Sequence, residues 1–302
     1  MAQESTTVVL GGGGLSGIGW TVGALAALEE AGALRLSAAA HVVGTSAGSA
    51  VGAMVLQAGS AAAVYDRMVR KSLRNEELAP AVALAELMPE MLAVYGSEDS
   101  VAEKAARFAR LSRERSGVDP ALRRAAVAGR LAGDVWPDGR LSVTAVRADG
   151  ERIVFTRESG VGLVDAVTAS CAVPGIWPTV RIDGVEYLDG GTFSLTNADL
   201  AADADRVLVL RPMADLAGEA PEEQRAVLER AVVVEPSERA LAGFGSDPFD
   251  PDVRGVAAVL GYEDGLSAVE RVRNALAGAA APGPSGAAPT GPGAPRAVLA
   301  DG

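Results

Sequence analysis

The stretch Gly44-Thr45-Ser46-Ala47-Gly48 sets a serine between two glycines. An apolar run, His41-Val42-Val43, precedes it, and a small-residue helical stretch from Ala47 to Leu56 follows. Strand, tight turn and helix, in that order, are the setting in which G-x-S-x-G reads as a nucleophile elbow. The glycines let the chain turn sharply and let a substrate approach the hydroxyl. The helix N-terminus aims amide N–H groups and positive dipole at the place where an oxyanion would form. A glycine-rich turn with an incidental serine is the competing reading, so the partners that acyl transfer requires decide between them: a base and a set of oxyanion donors.

A Ser-His-Asp triad needs a histidine, and His41 is the only one in the chain. It lies five residues before Ser46 on the same strand, roughly 16 Å away at the rise of an extended chain, and cannot reach the serine. It reads as a structural histidine. The base must then be a carboxylate. Asp189 leads, because it ends a strand and is followed by Gly190-Gly191 and a polar loop from Thr192 to Asn197. Asp183-Gly184, by contrast, reads as a hairpin turn. Asp165, Asp199 and Asp205 are the fallback candidates. Oxyanion donors are expected from the run Gly11-Gly12-Gly13-Gly14, with Gly12, Gly13 and Gly14 as the named amides. Consecutive glycines after a strand present N–H groups at the carboxyl edge of a sheet.

The same run satisfies G-x-G-x-x-G through Gly12-Gly13-Gly14-Leu15-Ser16-Gly17. Dinucleotide binding also needs an acidic residue at the end of the second strand. No Asp or Glu occurs between Ala31 and Tyr65, and Gly44-Thr45 fill the position. Walker-type phosphate binding fails for want of Gly-Lys-Ser/Thr.

The elements that must position these residues open with a strand at Thr7–Leu10 and a helix from about Ile18 to Ala31. A strand at His41–Gly44 and the elbow helix, to about Gln57, follow. This βαβα pattern predicts an α/β fold with a parallel sheet covered by helices. Ser60 to Leu131 reads as helical throughout. Within it Val82–Tyr95 is apolar, with Met88 and Met91, and reads as a core helix in preference to a mobile cover over an acyl chain; Pro89 predicts a kink or break. Lys104–Arg130 holds eight basic residues against Glu114 and Asp119, which reads as a solvated helix face in preference to a lipid head-group surface. Hairpins are predicted around Ala148-Asp149-Gly150 and Asp183-Gly184. A helix spans Leu163–Ala172, strands Arg206–Leu210 and Ala231–Glu235, and two separate helices Pro251–Leu260 and Tyr262–Ala280. From Pro282 onward the composition predicts disorder.

A chain of 302 residues with 49% apolar content can build one large α/β domain or two small ones. Aromatics are only 4%, so packing must come from Ala, Val and Leu. A formal charge of −12 argues against nucleic acid and against non-specific attraction to an anionic membrane. The single cysteine, Cys171, excludes an internal disulfide framework. With no signal-like N-terminus and no apolar run of the ~20 residues a span needs, the expectation is a soluble cytoplasmic protein.

Taken together, Gly11–Gly14 with Gly17, Gly44–Gly48, Ala169-Ser170-Cys171-Ala172-Val173-Pro174-Gly175-Ile176-Trp177-Pro178 and Asp189-Gly190-Gly191 resemble the patatin-like acyl hydrolases. The later segment, to about Ala280, looks like actinobacterial-type members. The resemblance implies a three-layer α/β/α sandwich with a mostly parallel central sheet over 1–281. The helical stretch at 60–131 is read as an insertion in this domain, with its closure over the site as a lid left open. The tail at 282–302 lies outside the resemblance and is expected to be disordered from its composition. It implies a Ser46–Asp189 dyad without histidine, with Gly12, Gly13 and Gly14 as oxyanion donors. No metal or organic cofactor is implied. The expected activity is hydrolysis of lipid or other acyl esters, as in a lipase or phospholipase A. An acyltransferase or thioesterase with the same dyad, or a silent lipid-binding protein, is the alternative. Transient membrane-surface contact and the oligomeric state stay open. One departure is Ser16, where the family's motif usually carries Arg or Lys; it weakens the case for a phospholipid over a neutral ester.

Overall fold

The structure, a computed structural model, describes residues 5–70, 77–214 and 222–277. β1 (Thr6–Leu10), α1 (Gly14–Glu30), β2 (His41–Thr45) and α2 (Ala47–Ala58) open the chain, followed by α3 (Ala61–Val69), α4 (Leu84–Tyr95), α5 (Val101–Arg115) and α6 (Pro120–Arg130). Then come β3 (Leu141–Arg147), β4 (Arg152–Phe155), α7 (Leu163–Ser170), β5 (Val180–Ile182) and β6 (Val185–Asp189). The described elements finish with β7 (Arg206–Leu210), α8 (Glu222–Arg230), β8 (Val232–Val234), α9 (Glu238–Gly243) and α10 (Val253–Ala277). The predicted tail at 282–302 lies outside the described residues. Among those residues, no single helix is long and apolar enough to cross a membrane.

The strands form one mixed, eight-stranded sheet flanked by helices. β3, β2, β1, β7 and β8 are parallel neighbours, while β4 and β6 run antiparallel to β3 and β5 to β6. The register around β3 brings the site together. β2 pairs with Leu141–Thr144, β6 with Ala145–Arg147, and β4 with Val143–Val146. A strand has only two hydrogen-bonding edges, so β4 occupies one and β2 and β6 share the other. They meet end to end: Thr45 opposes Thr144, and Asp189 opposes the next residue, Ala145. The chain after β2 and the chain after β6 therefore start from adjoining points.

Helix α1 starts at Gly14, inside the glycine run and earlier than the sequence predicts. It is buried along nearly its whole length. Its outer neighbour is α10, one continuous helix where the sequence suggests two. Gly261 and Gly265 do not break it but face α1: a Cβ at Gly261 would stand 2.1 Å from the Trp20 carbonyl oxygen, and one at Gly23 would stand 2.0 Å from that of Ala258. The helices pack backbone to backbone, so glycine is retained where alanine would favour helix formation.

Helices α4 and α5 build a second apolar cluster. Leu87, Met91, Val94, Phe108 and Leu111 pack there against Ile176, Trp177 and Leu188. α4 runs through Pro89 without a break. α5 begins with a reciprocal Ser100–Glu103 capping box, and α6 begins with Asp119 as cap and Pro120 in its first turn.

Candidate active site

Ser46 caps α2 with φ 51° and ψ −117°, a conformation that side-chain-bearing residues rarely adopt. The surroundings hold it there. Its N–H donates to Ser170 Oγ at 2.9 Å, and its carbonyl accepts from Ser49 Oγ at 2.7 Å and Cys171 Sγ at 3.3 Å. Gly48 is demanded by close approach, because a Cβ there would lie 1.9 Å from the Leu10 carbonyl oxygen. Burial pushes the Cys171 thiol up, which keeps it a neutral S–H donor and a poor nucleophile.

Asp189 is 3% exposed. Its backbone N–H donates to the Ala172 carbonyl at 3.0 Å, and its Oδ1 accepts the Gly191 amide at 2.7 Å. Oδ2 is buried without a hydrogen bond of ordinary geometry. The Ser46 hydroxyl is nevertheless close enough to act on the carboxyl as a donor and lower its pKa. Burial pushes the Asp189 carboxyl up to about 7, against the pull of the Ser46 hydroxyl, the Gly191 amide and the Arg123 charge. A carboxyl poised there takes up and releases a proton near neutral pH.

The loop after Asp189 is tied back to the elbow. Asn197, in the left-handed region at φ 50°, donates through Nδ2 to the Ser194 carbonyl at 2.6 Å and to Thr45 Oγ1 at 3.1 Å. Thr45 Oγ1 also lies 2.8 Å from Thr144 Oγ1. The two strand ends that meet on β3 are thus locked by one buried amide and two hydroxyls.

The glycine run lies against Ser46: a Cβ at Gly12 would be 3.4 Å from Ser46 Cβ. The Gly12 amide is already committed, donating to the Leu195 carbonyl at 2.8 Å. The amides of Gly13 and Gly14, at the start of α1, have no hydrogen bond among the described residues. The three expected oxyanion donors therefore narrow to two. Ser16, in place of the expected basic residue, folds back on its own turn and donates to the Gly13 carbonyl at 3.1 Å.

His41 is half-buried and bonds to Ser142 Oγ at 2.8 Å, at the opposite end of β2 from Ser46. The fallback carboxylates are engaged elsewhere: Asp165 with Arg124, Asp199 with Arg152, and Asp205 with the Ser5 backbone. None of the three is brought to Ser46.

Two basic residues read as part of a solvated face are instead buried at the site. Arg123 and Arg130 of α6 are 4% and 8% exposed, and both line a small cavity with Ser46, Cys171 and Trp177. Arg130 makes a bidentate pair with Glu77 at 2.9 and 2.6 Å, and Arg254 bonds the same carboxylate. The sequence held a signal for this. Arg123, Ala126, Val127 and Arg130 share one helical stripe, and the two apolar members should face the core. Among the described residues, no cluster of His, Cys, Asp and Glu could hold a metal ion.

A family model described as Patatin-like phospholipase matches residues 8–202. No curated protein matches the chain significantly. Among solved structures, the chain is similar to VipD from Legionella pneumophila, at 12% identity and TM-score 0.41, covering 89% of this chain and 67% of VipD. It is similar to the type III effector protein ExoU at 17% identity and TM-score 0.39, covering 89% and 53%. It is also similar to ExoU in its full-length complex with SpcU, from the type III secretion system of Pseudomonas aeruginosa, at 19% identity and TM-score 0.39, covering 90% and 53%. The chain spans about half the length of ExoU.

Proposed function

The chain belongs to the patatin-like phospholipase family, and from that premise we propose that it is a serine acyl hydrolase with Ser46 as nucleophile and Asp189 as its base. The observation that carries this reading is the juxtaposition itself: a serine in a strained elbow beside a buried carboxyl whose Oδ2 has no other partner. Asp189 takes the Ser46 proton as Oγ attacks the ester carbonyl, and the free amides of Gly13 and Gly14 receive the negative charge that develops on the carbonyl oxygen. Collapse of the tetrahedral intermediate breaks the ester C–O bond, and Asp189 returns the proton to the leaving alcohol. Water then attacks the acyl-serine. Asp189 takes its proton, and Ser46 regains one as the carboxylic acid departs.

We read the helical stretch at 60–131 as an insertion of the same domain. Its Arg123 and Arg130, together with Val173, Trp177 and Phe249, wall the small cavity at Ser46, so access to the nucleophile is governed there. A fluorophosphonate probe, followed by peptide mass spectrometry, tests the reading. The expected result is an adduct on Ser46 that is lost in Asp189→Asn. A folded protein that leaves Ser46 unlabelled overturns it.

A further inference from the structure

Arg123 is not used by the proposed chemistry, yet its placement is costly. Its Nε and Nη1 are buried without hydrogen-bond partners. Its guanidinium carbon sits 3.9 Å from the centroid of the Trp177 ring, a contact that offsets some lost hydration but accepts no hydrogen bond. Glu77 is already shared by Arg130 and Arg254. The buried charges around the site are thus three guanidiniums against the carboxyls of Glu77 and Asp189. Burial and the neighbouring Arg130 push Arg123 down to about 9, which leaves it charged at neutral pH.

Arg123 is also common to the walls of two cavities. The inner one, at Ser46, has a volume of about 20 Å³, close to the room one water needs and far too little for an ester. The outer one, between α5, α6 and the β5–β6 hairpin, measures about 620 Å³, a size that encloses a drug-sized ligand. Arg113, Arg123, Arg124 and Arg181 line it against Asp165 and Glu186. That is a surplus of two positive charges in a chain whose net charge is −12. A phosphomonoester carries about −1.5 to −2 at neutral pH, and guanidinium groups bind it through charge-assisted hydrogen bonds.

We propose that the outer cavity binds a single-chain acyl ester bearing a phosphate group, and that Arg123 receives the phosphate and, in leaving the Trp177 ring, opens the passage to Ser46. The catalytic half of this inference rests on the acyl hydrolase reading; the binding half does not.

Binding is therefore measured first, in the full chain. Intrinsic fluorescence is titrated with the non-hydrolysable dodecyl phosphate, with Trp177→Phe identifying the Trp177 signal. Wild type should bind about 10- to 100-fold more tightly than Arg123→Met, with Arg123→Lys between them. Inorganic phosphate alone should bind far more weakly than dodecyl phosphate. The second arm compares kcat/KM for 1-lauroylglycerol 3-phosphate and 1-lauroylglycerol, which share one ester and differ in the phosphate. Their ratio should fall about 10- to 100-fold in Arg123→Met, mainly through KM. Equal affinity of wild type and both Arg123 variants for dodecyl phosphate overturns the proposal. So does inorganic phosphate binding as tightly as the amphiphile, or an equal loss on both esters. If Arg123→Met does not fold, Arg123→Lys carries both arms. If dodecyl phosphate binds through Arg123 while Ser46 stays unlabelled and neither ester is cleaved, the hydrolase reading fails and the phosphate site stands.

Discussion

Ser46 and Arg123 line the same small cavity, but the molecule holds them in opposite ways. Ser46 sits on a floor made by β1, β2, α1 and α2, where its own amide and carbonyl are both bonded and Gly48 leaves no room for a Cβ. Arg123 projects from a wall made by α4 to α6 and Trp177, stacked on a ring with two of its nitrogens unbonded. The floor over-determines a strained backbone, as a nucleophile fixed before substrate arrives requires. The wall leaves a charge unsatisfied, as a group that must exchange its partner for a ligand requires. On the proposed reading, chemistry and selectivity fall to separate parts of the fold, and the two parts can be perturbed separately.

The sharpest test of the floor is Ser46→Ala. It exchanges one non-glycine residue for another at the same dihedrals, so the fold should persist while esterase turnover falls about 10⁴-fold or more. Asp189→Asn should lower kcat about 10³- to 10⁴-fold. Because the base acts ionised, wild-type kcat/KM should rise with pH through about 7 and then level off. The stability effect runs the other way. The folded carboxyl is raised above its unfolded value, so the native state binds the extra proton between the two. Stability from this group is then present at low pH and is lost as pH rises through about 7. Asp189→Asn should accordingly melt at a higher temperature than wild type at pH 8, while a lower Tm there would contradict the burial argument.

Gly48→Ala strikes the floor directly. Overpacking against the Leu10 carbonyl should cost about 3 kcal/mol, the upper end for such changes, and should abolish Ser46 labelling in whatever protein remains folded. Leu87→Ala, fully buried in the cluster of the wall, should cost a similar 2–5 kcal/mol, by about the usual cavity penalty. Ser46 labelling should survive it, since no floor contact is lost. Loss of labelling in Leu87→Ala would break the distinction between the two regions. The smallest effect is expected at the cavity rim. Arg113 is half-exposed and pairs with Glu186 at 2.9 Å, so Arg113→Ala should change stability by less than about 1 kcal/mol in denaturant titration.

The floor was legible because its signals are local. An apolar run, a glycine-flanked serine and a small-residue helix specify strand, elbow and helix wherever they occur, and Asp183-Gly184 marks its hairpin through the positive φ of both residues. The two-helix reading of 251–280 failed because glycine in a helix is read as a break when its helical partner is unknown. Gly261 and Gly265 are explained by α1, far away in sequence. Arg123 and Arg130 were misread because eight basic residues in a row of helices look solvated until the orientation of α6 is known.

By itself the sequence determined that a serine would stand at a strand-to-helix turn, that histidine could not serve it, and that a carboxylate such as Asp189 was the remaining candidate. Those statements depend on residue type and on distance along an extended chain. Only the tertiary structure decided that Asp189 meets Ser46, because their strands come from opposite directions and abut on the one edge of β3 that β4 leaves open. Only it committed the Gly12 amide to the Leu195 carbonyl and brought a guanidinium with two unbonded nitrogens into the cavity. Strand pairing, amide occupancy and burial are set by parts of the chain far apart in sequence, and no local pattern encodes them.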